Sequence, residues 1–108
     1  MNYTFKENQL DYETYYILRK SVKWNNWSRE QAEIALGNSY YTVTVFDNKV
    51  PIGMGRAVGD GIYFMIMDIV VKPEYQRMGI GSTIIHMLLE HIEKNMCVGS
   101  RVSVQLIS

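Results

Sequence analysis

Two glycines and a single buried-looking carboxylate are the residues in this chain whose types and spacing could do chemistry. Gly79 and Gly81 flank the expected start of a helix, in the run Gln76-Arg77-Met78-Gly79-Ile80-Gly81. A backbone without Cβ atoms lets N–H groups come close to a bulky anion and take unusual φ values. The N–H groups of a first helical turn lack intrahelical partners, and the helix dipole adds positive potential there. A diphosphate suits such a loop, and Arg77 and Lys72 could add side-chain charge. The same short pattern also fits a helix simply entered through a glycine-rich turn. Two familiar phosphate loops are excluded. A P-loop needs Lys and then Ser or Thr after its last glycine, where this chain has Ser82 and Thr83. A dinucleotide fingerprint needs a third glycine where Ile84 stands, and a parallel strand near the N-terminus.

Asp68 is the single charge in an apolar run over 62–71. A carboxylate there could accept a proton from an amine, directly or through water, or orient a cationic substrate. It could equally pair with a neighbouring cation or cap a bulged backbone. Arg56, in the preceding run, is the other charge that needs a reason. A turn centred on Asp60-Gly61 would set Arg56 opposite Met65, and ideal alternation then puts it on the opposite sheet face from Asp68. A bulge would change that. Trp24 and Trp27 are either core anchors or walls of a substrate pocket. Tyr12, Tyr15 and Tyr16 are expected to pack a first helix onto the sheet. His86 and His91 lie on the polar flank of a later helix, and nothing stands at metal-ligand spacing, so no metal is expected.

The elements that must position these residues follow from periodicity. A short strand is expected over 3–6. Asp11 can cap a helix whose Tyr15, Leu18 and Val22 form one stripe. Ser28 and Gln31 have capping-box spacing, Trp27 can staple onto Ala32, and Gly37 offers a left-handed stop. Strands follow over 41–46 and 50–58, joined by Asp47-Asn48. Asp60-Gly61 reads as a hairpin turn, since both residues accept positive φ. The strand over 62–71 is nearly all apolar, as in a centre covered on both faces. A loop over 72–78 precedes a helix from about Gly81, with Ile84, Leu88 and Ile92 on its inner face. A strand over 101–107 ends the chain. The order β-α-α-β-β-β-α-β predicts an α+β fold with a mixed sheet, antiparallel strands being followed by one parallel right-handed crossover.

Composition excludes several classes of function. The chain of 108 residues fits one domain over 1–108, and 47% hydrophobic with 20% charged residues suffices for a core. Eleven basic and eleven acidic residues cancel, which argues against a nucleic-acid surface. Cys97 is the only cysteine, so no disulfide framework exists and a reducing cytoplasm fits; a lone Cys in an apolar stretch is ordinarily a small buried hydrophobe. No apolar run approaches the roughly 20 residues of a membrane span, and no signal peptide is visible.

The run Asp68-Ile69-Val70-Val71-Lys72-Pro73-Glu74-Tyr75-Gln76-Arg77-Met78-Gly79-Ile80-Gly81 resembles motif A of the GNAT superfamily of N-acetyltransferases. That motif is an apolar strand, then V-x-P, then R/Q-x-x-G-x-G/A, then an amphipathic helix. Gln76 takes the R/Q place. The resemblance implies acetyl-CoA as cofactor. Backbone N–H groups of Gln76, Arg77, Met78, Gly79, Ile80 and Gly81, with Ser82, would hold its pyrophosphate. Main-chain groups of Ile69, Val70 and Val71 would meet the pantetheine arm where the strand splays from the next one. It further implies direct attack of a primary amine, that of a small molecule, on the thioester, with Asp68 as proton acceptor and Trp24 and Trp27 shaping the acceptor pocket. A non-catalytic acyl-CoA-binding module and a purely structural domain are the alternatives. Members of the superfamily acetylate antibiotics, polyamines, arylalkylamines, peptides and protein lysines, so the acceptor stays open. The family pattern continues past the fifth strand with a helix and two strands, the helix often supplying a tyrosine that protonates the thiolate. This sequence stops at Ser108. An exposed last strand would pair with a second copy, giving a homo-oligomer such as a dimer, or belong to a longer chain.

Overall fold

The computed structural model describes residues 3–95 and 99–104. Cys97 and the last part of the expected final strand, 105–107, lie outside the described residues. The elements run β1 (Tyr3–Glu7), α1 (Tyr12–Ser21), α2 (Arg29–Gly37), β2 (Tyr41–Asp47), β3 (Val50–Gly59), β4 (Tyr63–Val71), a 3-10 turn (Pro73–Tyr75), α3 (Ile80–Asn95) and β5 (Arg101–Val104). The sheet has the order β1-β2-β3-β4-β5, antiparallel except for β4 with β5. α3 is the crossover between those two parallel strands, so the expected α+β mixed sheet is the observed one.

Local chemistry accounts for the helix limits. The Asp11 carboxylate accepts from the Thr14 N–H at 2.9 Å, and the Ser28 hydroxyl accepts from the Gln31 N–H at 3.2 Å. Each satisfies one donor that the first turn leaves unpaired. Gly37 does not form the left-handed stop. It is the last residue of α2, and Asn38 caps the end at φ −97°, its side-chain amide donating to the Ile34 carbonyl at 3.0 Å. The amide does locally what a glycine at positive φ would have done.

The hairpin between β3 and β4 is centred one residue later than the Asp-Gly pattern implies. Gly61 sits at φ 100°, while the Asp60 carboxylate accepts from the N–H groups of Ile62 and Tyr63, both at 2.9 Å. Asp60 thus acts through its side chain, and Gly61-Ile62 forms the tip. The register moves by two residues, and Arg56 faces Met67 instead of Met65.

Two bulges govern which residues share a face. Met54 pairs with Val70, yet Arg56 pairs with Met67, so Gly55 opposes both Asp68 and Ile69. The surplus residue, Asp68, takes φ 55°, a left-handed conformation that Asp tolerates better than most residues. Met67 and Asp68 in consequence both meet Arg56, its Nη2 reaching the Met67 sulfur at 3.4 Å and its Nε the Asp68 carboxylate at 3.0 Å. The bulge overturns the expectation that Arg56 and Asp68 lie on opposite faces. Phe64, Ile66, Ile69 and Val71 belong with the α3-side core, whereas Val70 and Met54 join Tyr15, Leu18 and Ala32 beneath α1 and α2. A second irregularity between Val45 and Phe46 moves Ile52 to the α3 side in the same manner.

α3 buries Ile80, Ile84, Leu88 and Ile92. It can approach β3 closely because Gly55 has no side chain. A Cβ there would stand 2.4 Å from Ile84 Cγ2 and 2.8 Å from Ile69 Cδ1. Gly55→Ala is therefore expected to lower the unfolding free energy by about 1–3 kcal/mol through overpacking. Urea unfolding checks this, and a variant as stable as the native chain would show that α3 can shift.

A second expectation concerns alkaline pH. Tyr41 is buried, donates its hydroxyl to the Glu7 carboxylate, and stacks on His91 with ring centroids 3.9 Å apart. Burial first, then the bond to Glu7, raises its phenol above the ordinary value of 10.0, and burial with the Asp68 charge does the same to Tyr15. A raised folded value means stability that is complete below pH 10.0 and is lost as pH climbs from there through the folded values. Tm should fall above that point, and less steeply in Tyr41→Phe. Parallel profiles would refute the assignment.

Candidate active site

The segment after β4 is held by bonds to its own strand and to β1 and β2. The Lys72 N–H donates to the Ile52 carbonyl at 2.8 Å, ending the β3–β4 ladder. Pro73 then starts one 3-10 turn, and the Tyr75 hydroxyl donates to Asp47 at 2.7 Å. Tyr3 packs edge-on against Tyr75, with centroids 6.1 Å apart, and its hydroxyl reaches the Met78 sulfur at 3.3 Å. The Gln76 side chain turns back and donates to the Val71 carbonyl at 2.9 Å. Arg77 (φ 67°) and Gly79 (φ 80°) both sit in the left-handed region, reversing the chain into α3.

The Thr83 N–H donates to the Gly79 carbonyl at 3.0 Å, which makes Gly79 the residue that caps α3. Glycine brings no side-chain oxygen to that position. The N–H groups of Ile80, Gly81 and Ser82 accordingly lack an intrahelical acceptor. They border a groove of about 340 Å³ lined by Ile69, Val71, Tyr75, Gln76, Arg77, Gly79, Ile80, Gly81 and Ser82. A Cβ on Gly81 would meet only Val71 Cγ2, at 3.8 Å, and one on Gly79 nothing within 4 Å. The groove is thus shaped by backbone and open to a ligand's close approach.

The β4 wall is polar in a defined way. Lys72 bonds β3 and Val70 pairs with Met54, so Ile69 and Val71 direct their main-chain groups to the other edge of β4. The Val71 carbonyl is taken by Gln76. Of the residues singled out in the sequence for this loop and strand, Val70, Lys72 and Met78 do not line the groove. Val70 is buried under α1, and Met78 turns to Tyr3. The Gln76 N–H is also engaged, donating to the Pro73 carbonyl at 3.3 Å. Tyr75 is an added lining residue. Its place next to the expected loop was the available signal.

Asp68 lies one residue before the groove, on the α1 side. Arg19 Nη1 donates to its Oδ1 at 2.6 Å, and Arg56 Nε to its Oδ2 at 3.0 Å. The Tyr15 hydroxyl also donates to Oδ2, at 3.1 Å. The side chains of Arg19, Asp68 and Arg56 are 5%, 9% and 9% exposed. Arg19 was missed in the sequence because it follows the helical stripe Tyr15, Leu18, Val22 by a single residue and reads as solvated. Trp24 and Trp27 separate in space. Trp24 packs with the α1-side core and lies 5.3 Å beneath the Arg19 guanidinium. Trp27 is 57% exposed and lines a second cavity of about 220 Å³ with Arg19, Asn25 and Asn26.

Residues 3–106 match the model of the Acetyltransferase (GNAT) family. The chain belongs to that family. An uncharacterized N-acetyltransferase, ycf52, of Pyropia yezoensis is 30% identical over 79 residues, 68% of this chain and 45% of its own length. The chloroplastic GCN5-related N-acetyltransferase 1 of Arabidopsis thaliana is 37% identical over 49 residues, 44% of this chain and 25% of that one. The chain thus spans less than half the length of these curated relatives. Among solved structures, a Staphylococcus aureus protein of unknown function, a probable acetyltransferase, is 33% identical with a TM-score of 0.90, covering 98% of this chain and 80% of that one. No helix among the described residues is long and apolar enough to cross a membrane, and no cluster there could hold a metal ion.

Within this GNAT chain, the geometry of Asp68 leads to a direct test. Removing its charge leaves two buried guanidiniums without a counter-ion. Asp68→Asn should lose about 3–5 kcal/mol of stability, the usual consequence of breaking a buried pair from one side. Stability within about 1 kcal/mol of native by urea unfolding would instead point to a carboxylate retained for chemistry.

Proposed function

We propose that the groove between the edge of β4 and the start of α3 holds acetyl-CoA, and that the chain carries the cofactor-binding core of an N-acetyltransferase. The observation that carries this reading is that Ile80, Gly81 and Ser82 line the groove with N–H groups that have no acceptor among the described residues. They would take the pyrophosphate, with the helix dipole and Arg77 adding positive potential. The Ile69 main chain and the Val71 N–H would pair with the pantetheine amides as a further strand would. The cofactor supplies the activated acetyl thioester. Family membership supports acetyl transfer, and the PaiA N-acetyltransferase of Thermoplasma acidophilum, 18% identical with a TM-score of 0.70 over 87% of this chain and 74% of that one, was solved with coenzyme A.

In this reading the acceptor is a primary amine of a small molecule, attacking the thioester directly. A cytoplasmic setting and association of two copies along the outer edge of β5 are parts of the same proposal. Asp68 is assigned as the residue that positions the end of β4, since three donors occupy its carboxylate. That occupancy also favours a second reading, in which the chain binds an acyl-CoA without catalysis. Acetylation of an amine panel separates the two, because a pure binder yields no product despite saturable affinity.

The groove assignment is tested by Gly81→Val. The added side chain meets little of the protein, so the ligand-free Tm should change only slightly. Coenzyme A at a hundredfold excess over Kd should stabilise the native chain by roughly 2.7 kcal/mol. The variant should lose that shift. Equal shifts in both proteins would remove the pyrophosphate from this loop.

A further inference from the structure

The cluster around Asp68 is unbalanced. Two guanidiniums, Arg19 and Arg56, face one carboxylate, and the remaining partners are neutral: the carbonyls of Asn25 and Ala35, the Ser39 hydroxyl and the Met67 sulfur. The acidic residues of the two helices above do not correct this, because Glu13 and Glu33 are both tied to Arg29 at the exposed surface, at 3.1 and 3.3 Å, and Glu30, in the first turn of α2, is exposed as well. A buried excess of one positive charge is costly unless something answers it. Carbonyl dipoles answer it in part, with Ala35 in the last turn of α2, at the negative end of that helix dipole.

The excess charge has an outlet. Arg19 lines the 220 Å³ cavity with Asn25, Asn26 and Trp27. That is far above the roughly 10–15 Å³ of such space that a single water needs. Among the described residues, Arg19 uses three of its N–H donors, on Asp68 and the Asn25 carbonyl. A guanidinium has five. No carboxylate lines this cavity. Trp27, 57% exposed, offers a flat apolar wall beside the charge.

We infer that the cavity bounded by Arg19, Asn25, Asn26 and Trp27 is an anion subsite of the acceptor pocket. The acceptor is then an amine that also carries a carboxylate on an aromatic or aliphatic body, as an amino acid does. The acceptor half of the statement rests on the transferase reading; the anion subsite does not. Asp68 bonds Arg19 and directly precedes Ile69 of the cofactor groove, so one strand joins the two sites. A polyamine or another polycation would enter a positive pocket with no carboxylate to meet it.

The probe is 3-phenylpropionate, titrated by calorimetry into the full chain with and without coenzyme A, beside its neutral amide and the cationic 3-phenylpropylamine. The carboxylate should bind at least about tenfold more tightly than either analogue, the scale of one charge contact in a partly desolvated site. Asn26→Asp, which puts a negative charge on the wall, should weaken it about tenfold, and Trp27→Ala should weaken all three probes. These residues are exposed or at the rim, which keeps the test independent of the buried Arg19. No binding at millimolar concentration, equal affinity for the three probes, or indifference to both substitutions would each overturn the inference. Acetylation assays separate the two proposals. Probe binding without product from phenylalanine or phenethylamine removes the transferase reading and keeps the anion subsite. Acetylation of phenethylamine and spermidine with kcat/KM equal to that of phenylalanine does the reverse.

Discussion

Asp68 sits between two arginines, away from water, and each of these three charges loses several kcal/mol of hydration by being there. What offsets that loss is geometry. Both carboxylate oxygens are filled, one by Arg19 and the other by Arg56 and Tyr15, while the arginines reach onward to Asn25, Ala35 and Ser39. Five parts of the chain meet there: α1, the turn after it, the end of α2, β3 and β4. A pair buried in this way is weak evidence for extra stability, but it allows few alternative arrangements of the elements around it. The left-handed φ of Asp68 belongs to the same arrangement, since only a bulged residue at that position brings a carboxylate to the face where both arginines stand.

The groove on the other side of β4 works by a different principle. In the proposed reading its positive potential would come from backbone N–H groups and the α3 dipole, with Arg77 beside them, and such dipoles need no reorganisation when an anion arrives. They must be held still, however. Tyr3 does this by bonding Met78 from β1, and Tyr75 and Gln76 by tying the loop to Asp47 and Val71. Gln76 serves as a brace, which fits its use of both amide and main-chain N–H inside the protein. In the proposed reading the backbone donors of Ile80, Gly81 and Ser82 would be the ones left for a ligand, Thr83 being bonded to Gly79.

Much of this was legible in the sequence because the responsible signals are local. The caps at Asp11 and Ser28, the glycines at 79 and 81 and the apolar stripe of α3 each act within a turn or two of chain. The sites of failure are where one residue changes the parity of a strand. The Asp-Gly pattern at 60–61 placed the hairpin one residue early, because Asp60 works through its carboxylate and Gly61 alone needs positive φ. The bulge at Asp68 then turned Arg56 and Asp68 to the same face. Alternation cannot announce a bulge, since both flanking segments remain fully apolar. Trp24 and Trp27 looked alike in sequence, and only the path of the turn after α1 packs one partly against the core and leaves the other exposed. Arg19 was invisible for a related reason: its partners come from two other elements.

Gly55 connects the two sites. Where Asp68 adds a residue to β4, β3 presents a residue with no side chain, and Ile84 and Leu88 of α3 occupy the space. A larger residue would lift α3 from the sheet at its second and third turns. The first turn, with Ile80, Gly81 and Ser82, would move with it, since a helix transmits displacement along its axis with little bending. The height of α3 above β4 fixes how far the unpartnered N–H groups stand from the edge at Ile69 and Val71, which is the width of the groove. The bulge therefore has consequences on both faces. On one it delivers Asp68 to the arginines, and on the other it turns Ile69 and Val71 toward α3. One irregular residue in β4 thus stands between the helix terminus on one face of the sheet and the buried positive cluster on the other.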